Sequence, residues 1–102
     1  MKYLVKIEPE ALKDIQDATD WYNEAQAGLG KRFQNTTIKL INGLSKNPHI
    51  YAIRYQKIHC VVVKKFPYMV HFFINEDTRT VEVLAVFSTD RNPKIWEERA
   101  NK

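Results

Sequence analysis

The fold of this chain is decided by residues 60–99, CVVVKKFPYMVHFFINEDTRTVEVLAVFSTDRNPKIWEER, which hold most of its strand-like sequence. Residues 61–63 are three valines, and such a β-branched run favours a pleated strand. Residues 68–74 are apolar at both odd and even positions, as is typical of a central strand that is covered on both faces. Residues 80–87 alternate in a third strand, and the residues predicted to share one face are Val81, Val83, Ala85 and Phe87.

Turn signals separate these three strands. Phe66-Pro67 lies between the first and the second, and the polar cluster 75–78 lies between the second and the third. Both connections are too short for a parallel crossover, so we expect residues 60–87 to form an antiparallel meander.

Two amphipathic helices are predicted before the meander. Residues 9–26 place apolar side chains at helical spacing and carboxylates on the opposite face. Gly28 and Gly30 then permit a tight turn, and a second helix is predicted over 29–46, where Asn47-Pro48 stops it. Because the link is short, the two helices should form an antiparallel hairpin.

Weaker signals complete the pattern. Residues 3–7 alternate as a short first strand, residues 51–56 are a further strand candidate, and a turn is expected at 57–59. Pro93 should open a short last helix. The predicted order is β-α-α-β-β-β-α over one domain of residues 1–102. This is an α+β fold, with an N-terminal helical hairpin on a mostly antiparallel sheet of four to five strands and a short C-terminal helix.

The net charge of +4 is unevenly distributed along the chain. No Asp or Glu occurs from Ala25 to Asn75. The cations of that stretch are Lys31, Arg32, Lys39, Lys46, Arg54, Lys57, Lys64 and Lys65. A central segment without carboxylates should create a positive electrostatic potential, which suits the binding of an acidic protein or of nucleic acid. The alternative is an ordinary charged surface that keeps the protein soluble.

Several classes of site are disfavoured by composition. Cys60 is the single cysteine, so neither an internal disulfide nor a cysteine-based zinc site can form. His49, His59 and His71 lack metal-ligand spacing, and no phosphate-binding loop or catalytic triad is evident. We therefore expect no cofactor and no metal. The N-terminal apolar run is too short for a signal peptide and no segment could span a membrane, which favours the cytoplasm.

A cationic constellation remains as the candidate for chemistry. Lys64 precedes the central strand, Arg54 lies on a neighbouring strand candidate, and Arg91 follows the last strand. If the strands pair as predicted, the three side chains could line one concave surface. Such cations can bind phosphates and stabilise developing charge, or they can bind an acidic protein. The alternative is that they are ordinary surface charges without a specific function.

Four segments carry a family resemblance. They are VKIEPEALKDI at 5–15, WYNEAQAGLGKRF at 21–33, VVKKFPYMVHF at 62–72 and VLAVFSTDRNPKIWEER at 83–99. In this order they resemble the RelE/ParE toxins of bacterial type II toxin–antitoxin modules, also known as plasmid stabilisation proteins. The resemblance extends over nearly the whole chain.

This resemblance implies a compact toxin and a cognate antitoxin that wraps and neutralises it in a hetero-oligomer. ParE-like members of the family inhibit DNA gyrase and are not nucleases. RelE-like members cleave mRNA in the ribosome, using basic residues and often a C-terminal tyrosine. The resemblance therefore leaves gyrase, or the ribosome with its mRNA, as the expected target.

Particular residues bear on that choice. Lys64 and Arg91 occupy positions similar to basic residues of the RelE-type site, but no tyrosine lies beyond Tyr68 to act as its general acid or base. Ser88 and His59 replace a histidine and an arginine that are common in the family. These differences favour a ParE-like gyrase inhibitor over a nuclease, and leave a degenerate toxin that only binds its antitoxin as a third possibility.

Target contacts are expected in the tail 88–102. The candidate residues are Arg91, Lys94, Trp96 and Arg99. Because this segment should add only a short helix to the core, truncation after Phe87 is expected to leave a folded domain that no longer inhibits growth. Trp96 could instead anchor the core, since a tryptophan buries a large apolar area.

Overall fold

The computed structural model describes residues 2–100, and within them the backbone forms a five-stranded sheet of order β1-β5-β4-β3-β2. The strands are β1 (Leu4–Ile7), β2 (Ile53–Tyr55), β3 (Ile58–Val62), β4 (Tyr68–Asn75) and β5 (Thr80–Ser88). β1 runs parallel to β5, and the other neighbours are antiparallel. The predicted α+β class and the antiparallel meander are confirmed.

The helices lie close to their predicted positions. They are α1 (Pro9–Ala25), α2 (Leu29–Gly43) and α3 (Pro93–Ala100), with a short 3-10 turn at Pro48–Ile50. α2 ends three residues before the predicted boundary at 46. The backbone N–H groups of Leu44, Ser45 and Lys46 each bond to the carbonyl three residues earlier, so the chain tightens out of the α-helix there.

The region before the meander is where the sequence-based interpretation is wrong. The predicted turn at 57–59 contains the start of β3, and the predicted strand 51–56 shrinks to β2. The observed order, β-α-α-β-β-β-β-α, has one strand more than the predicted order β-α-α-β-β-β-α, and its five strands lie within the predicted four to five. The actual turn is Gln56-Lys57, whose φ values of 41° and 69° lie in the left-handed region that suits a two-residue hairpin.

Close approach of α1 and α2 depends on one glycine. A Cβ atom on Gly30 would lie 2.0 Å from the backbone oxygen of Thr19, so only a glycine fits at this crossing. The Gly30 N–H donates to Asn23 Oδ1 at 2.7 Å. The hairpin then packs its apolar stripe, including Ile15, Tyr22 and Phe33, on the sheet.

Each face of the sheet packs against its own layer. Tyr68, Val70, Phe72 and Ile74 of β4 face the helical hairpin. The alternate residues Met69 and Phe73 pack on the opposite face, under α3. This alternation confirms that β4 is a central strand covered on both sides.

β5 contains a bulge that changes which residues share a face. The pairing of β5 with β4 shifts register between His71 and Phe72, where Leu84 is left without a partner. Val81 and Val83 therefore face the hairpin together with Val86, which the sequence placed on the other side. The prediction that Ala85 and Phe87 share a face with Val81 is wrong because an extra residue inverts the alternation.

Among residues 2–100, no helix is both long enough and apolar enough to cross a membrane.

Candidate functional site

The face of the sheet opposite the helical hairpin is covered by α3. The indole of Trp96 packs against the ring of His71, with centroids 4.9 Å apart, and against Tyr55 at 5.6 Å. Ile58, Cys60 and Met69 form the buried floor beneath it. α3 is therefore held to the sheet by aromatic contacts. We call the sheet surface beneath it, formed by Tyr55, Ile58, Cys60, Met69 and His71, the α3 face.

Three titratable side chains meet on the α3 face: His71 and Cys60 are buried and Tyr55 is half-buried. The Tyr55 hydroxyl lies 2.9 Å from Nδ1 of His71, and the Cys60 sulfur lies 3.3 Å from the same nitrogen. Burial lowers the pKa of His71 to about 4, assisted by the charges of Arg54 and Arg99. Burial likewise raises the pKa of Cys60 to about 11 and the pKa of Tyr55 above its ordinary value. All three groups are neutral and shielded at physiological pH.

Sequence reasoning missed this cluster, although one signal was available. His71 lies on β4 at the same parity as Met69 and Phe73, which places it on the second buried face. A histidine at such a position must be satisfied inside the protein, and a neighbouring tyrosine is a suitable partner.

The predicted cations lie around this cluster. Arg91 stacks over the ring of Phe87, with its guanidinium carbon 5.4 Å from the centroid, and that ring lies 5.4 Å from the ring of His71. Arg54 lies on the edge strand β2, and its charge lowers the pKa of Cys60 against the larger effect of burial. Arg54 thus acts on Cys60 and His71 through its charge, whereas Arg91 is connected to His71 only through the ring of Phe87.

Lys64 lies at one end of the sheet. It lies in the β3–β4 turn beside Lys65, and both lysines are exposed. The Thr89 N–H donates to the Pro67 carbonyl at 2.8 Å, which ties the segment leading to Arg91 against this turn. The structure therefore brings the loops of Lys64 and Arg91 together at one end of the sheet.

The four residues predicted for target contact divide into two pairs. Arg91 and Lys94 are exposed and available to a partner. Trp96 is packed on the α3 face, and Arg99 is occupied by an internal ion pair. The exposed pair can contact a target directly, while the packed pair positions α3.

Arg99 closes the outer edge of β5 together with Asp14 of α1. Its Nη1 donates to Asp14 Oδ2 at 2.8 Å and to the Leu84 carbonyl at 3.1 Å, and Nη2 donates to Asp14 Oδ1 at 3.2 Å. Asp14 Oδ2 also accepts from the Val86 N–H at 3.0 Å. The bulge at Leu84 thus leaves backbone groups that this ion pair satisfies.

These contacts correct the interpretation of the tail. Residues 88–102 were expected to add only a short helix to the core, but Trp96 and Arg99 join α3 to both the sheet and α1. Truncation after Phe87 would expose the α3 face, so we now expect it to destabilise the protein. Asn101 and Lys102 lie outside the described residues.

A groove of about 430 Å³ lies between α1 and the loop that follows β5. We call it the α1 groove. Its α1 wall carries Asp17 and Trp21, and its opposite wall carries Asp90 and Arg91. No motif in the sequence indicated this feature, because its walls are about 70 residues apart in the chain.

A polar cluster joins the chain start to the β4–β5 turn. His49 Nε2 lies 2.6 Å from Glu76 Oε1, and the Tyr3 hydroxyl donates to the same carboxylate at 3.0 Å. Arg79 stacks over the Tyr3 ring at 4.2 Å. Across residues 2–100, no group of three or more His, Cys, Asp or Glu side chains is arranged to hold a metal ion.

Known structures share this architecture. The ParDE system of P. aeruginosa has a TM-score of 0.75 at 11% identity, over 84% of this chain and 95% of that chain. A mutant of the E. coli toxin RelE in the free state has a TM-score of 0.74 at 14% identity, over 99% of this chain and 97% of that one. The RelBE2 toxin–antitoxin complex of Mycobacterium tuberculosis has a TM-score of 0.64 at 17% identity, over 86% and 99%. At these identities the likeness shows the fold.

The sequence itself decides the family. No curated protein matches the chain. The family model described as the ParE toxin of the type II toxin-antitoxin system, parDE, matches residues 5–93, which is most of the chain. The chain therefore belongs to the ParE toxin family, within the RelE/ParE toxins of type II toxin–antitoxin systems.

Proposed function

We propose that this toxin arrests growth in the cytoplasm by binding DNA gyrase, and that a cognate antitoxin neutralises it in a hetero-oligomer. One observation carries the choice of gyrase over RNA cleavage: the histidine and the tyrosine of the α3 face bond to each other and are withdrawn from the surface, the first fully and the second by half. His71 is fully buried, and Tyr55 bonds to it beneath Trp96.

General acid–base chemistry has little support from the remaining side chains. An arginine cannot release its proton at neutral pH, so Arg54 and Arg91 can only bind or stabilise negative charge. A lysine can act as an acid or base only with a depressed pKa, which requires burial, whereas Lys64 is exposed. Exposed cations with no exposed histidine or tyrosine on the neighbouring α3 face suit the binding of an acidic protein surface.

In this proposal the target contact centres on Lys64, Arg91 and Lys94. The first two lie on loops that the Thr89–Pro67 hydrogen bond ties together, and Lys94 lies in the first turn of α3. Trp96 and Arg99 act as positioning residues, because their contacts fix α3 beside these cations.

The test compares two activities of the purified protein. We expect it to inhibit supercoiling by gyrase and to yield no cleavage of mRNA on purified ribosomes. Lys64→Ala should weaken gyrase inhibition only about fivefold, as for one exposed charge contact. Lys39→Ala, an exposed lysine on α2, is the matched control and should leave inhibition unchanged.

The second candidate is a ribosome-dependent mRNA endoribonuclease of RelE type. It is favoured by the exposed arginines Arg54 and Arg91, since exposed guanidinium groups can hold a phosphate. Under this alternative the unmutated protein would cleave mRNA on ribosomes, and Lys64→Ala would lower the rate by roughly 100- to 10,000-fold. That result would overturn the gyrase proposal.

The antitoxin part of the proposal has its own test. Co-purification with the protein encoded by the neighbouring gene should give a complex that survives at micromolar concentration and low salt. The carboxylate-free stretch from Ala25 to Asn75 supports an acidic antitoxin segment. A toxin that binds this protein but affects neither gyrase nor ribosomes would instead be a degenerate member that only binds its antitoxin.

A further inference from the structure

Arg91 lies on a loop whose backbone is fixed on both sides of it. Before it, the Arg91 N–H donates to the Ser88 carbonyl at 3.1 Å, which closes a four-residue turn at the end of β5. After it, Asn92 Oδ1 accepts from the Lys94 N–H at 2.9 Å and caps the start of α3. The backbone at Arg91 therefore has little freedom.

The side chain of Ser88 strengthens this turn. Its Oγ accepts from the Asp90 N–H at 3.2 Å, and such a local bond is the reason why serine is favoured at the first position of a turn. Ser88 is half-buried and pairs with Tyr68 at the end of the β4–β5 ladder. One hydroxyl thus holds the residue that directly precedes Arg91.

The guanidinium of Arg91 has a defined position on the ring of Phe87. Its carbon lies over that ring, 5.4 Å from the centroid, and Phe87 is only 2% exposed, so the ring is fixed in the core. Burial raises the pKa of Tyr68, and the charge of Arg91 opposes this rise, as expected for a guanidinium close to that hydroxyl. The exposed side chain of Arg91 therefore rests on a buried aromatic surface.

A second guanidinium lies over the same ring but carries a balanced charge. Arg99 is 4.8 Å from the Phe87 centroid, and its charge is paired with that of Asp14. Within residues 2–100 Arg91 takes part in no ion pair, although Asp90 precedes it in the chain. Arg91 is thus held in place while its own charge stays available to a partner.

We propose that Ser88 is a positioning residue for Arg91, which it holds on the Phe87 ring in readiness for an anionic group of the target. A long side chain that is ordered before binding loses less conformational entropy when it binds. The inference rests on the proposed function for the contact between Arg91 and the target. It adds a residue that acts on this contact through the turn and not by touching the target.

The first experiment reads the position of Arg91 in the free toxin by nuclear magnetic resonance. Protons above the face of an aromatic ring resonate upfield, so we expect the side-chain protons of Arg91 upfield of their usual positions. Ser88→Ala should return them at least about halfway to those positions, whereas Ser88→Thr, which keeps the hydroxyl, should retain the shift. An unchanged shift in Ser88→Ala would overturn the proposal.

Two controls accompany this measurement. Arg99 lies over the same ring but is held by Asp14, so its protons should stay upfield in Ser88→Ala. Thr89→Ala removes a neighbouring exposed side chain and keeps the backbone bond to Pro67, so it should leave both arginines unchanged. If Ser88→Ala displaces Arg99 as well, or if Thr89→Ala displaces Arg91 equally, the serine hydroxyl does not specifically position Arg91 and the proposal is overturned.

The second experiment measures inhibition of gyrase by the same variants. Ser88→Ala should weaken it about two- to tenfold, the effect of leaving one long side chain unordered, and Ser88→Thr should restore it. In an Arg91→Ala background Ser88→Ala should have no further effect, because the serine acts through the arginine. A full additional loss in that background would mean that Ser88 acts without Arg91, contrary to the proposal.

The two experiments separate this inference from the proposed function. If the unmutated toxin does not inhibit gyrase, the proposed function is overturned, and the resonances of the free toxin still decide whether Ser88 positions Arg91. If the toxin inhibits gyrase and Ser88→Ala inhibits it equally well, the proposed function stands and the part of Ser88 in target contact is overturned.

Discussion

Arg99 of α3 and Asp14 of α1 form a two-pronged ion pair, Nη1 to Oδ2 at 2.8 Å and Nη2 to Oδ1 at 3.2 Å, although 85 residues separate them in the chain. The Arg99 guanidinium also lies 4.8 Å from the centroid of the Phe87 ring. Through this pair the C-terminal helix is fastened to the N-terminal one across the edge of β5.

Removing the carboxylate of that pair should destabilise the fold. Asp14→Ala removes the carboxylate that accepts two bonds from the partly buried Arg99, which keeps the Leu84 carbonyl and Glu10, and leaves the Val86 N–H without its acceptor. We therefore expect a loss of about 2 kcal/mol in the free energy of unfolding. Asp17→Ala, which removes only an exposed pair, should change it by less than about 0.5 kcal/mol. Urea denaturation measures both, and equal stabilities would contradict the structural role of Asp14.

The helix crossing offers a second matched pair of substitutions. Gly30→Ala places a methyl group 2.0 Å from the Thr19 carbonyl oxygen and should cost about 1 to 3 kcal/mol by forcing α1 and α2 apart. Gly43→Ala meets open space at the end of α2 and should stabilise the protein by up to about 1 kcal/mol. Thermal unfolding distinguishes them, and a harmless Gly30→Ala would mean that the helices cross more loosely than described.

Trp96 is expected to act on stability and not only on target binding. Trp96→Ala removes the indole that covers His71 and Tyr55, and should lower the free energy of unfolding by about 2 kcal/mol or more. Lys94→Ala, on the exposed side of α3, should unfold like the unmutated protein while binding its target more weakly. Near-ultraviolet circular dichroism in urea tests this split, and an unaltered midpoint for Trp96→Ala would show that α3 adds nothing to the core.

Acid sensitivity should follow from His71. The unfolded chain binds a proton at this residue near pH 6.5, whereas burial lowers the pKa of the folded protein to about 4. The unfolded state therefore holds more protons in this window, so stability falls as the pH drops from about 6.5 to about 4, by about 3 kcal/mol in total. Well above pH 6.5 His71 is neutral in both states, so its titration no longer changes the free energy of unfolding.

His71→Gln is the variant that isolates this effect. Glutamine can still accept the hydrogen bond of the Tyr55 hydroxyl, but it does not titrate. The difference between the two proteins, from urea titrations at several pH values, should shrink or reverse as the pH is lowered. Parallel pH profiles would show that His71 is not kept neutral by the fold.

The periodic parts of this fold could be predicted from the sequence. The helical hairpin and the two-sided β4 follow from spacing alone, because their apolar residues recur without interruption. Three features could not be predicted. Gln56-Lys57 lacks the glycine or asparagine that usually marks a two-residue turn. The bulge at Leu84 leaves no trace in an unbroken apolar run.

The third hidden feature is the long-range pairing at the site. Charge in the tail suggested an exposed binding surface, and for Arg91 and Lys94 the structure agrees that the side chains are exposed. Arg99 is also a cation of the charged tail, but its side chain forms an ion pair with Asp14. Sequence spacing carries no information about partners 85 residues apart, so the two kinds of arginine cannot be told apart before the fold is known.

The parallel pairing of β1 with β5 has a consequence for synthesis. Leu4 lies beside Thr80, so the first strand made has to wait for the last strand before it can pair. The hairpin core also depends on β5, through Val81, Val83 and Val86. A ribosome releases the chain from its N-terminus, and contacts between such distant segments form late. A nascent copy therefore cannot complete its sheet until β5 has left the ribosome, so the toxin fold cannot form on the earlier segments alone.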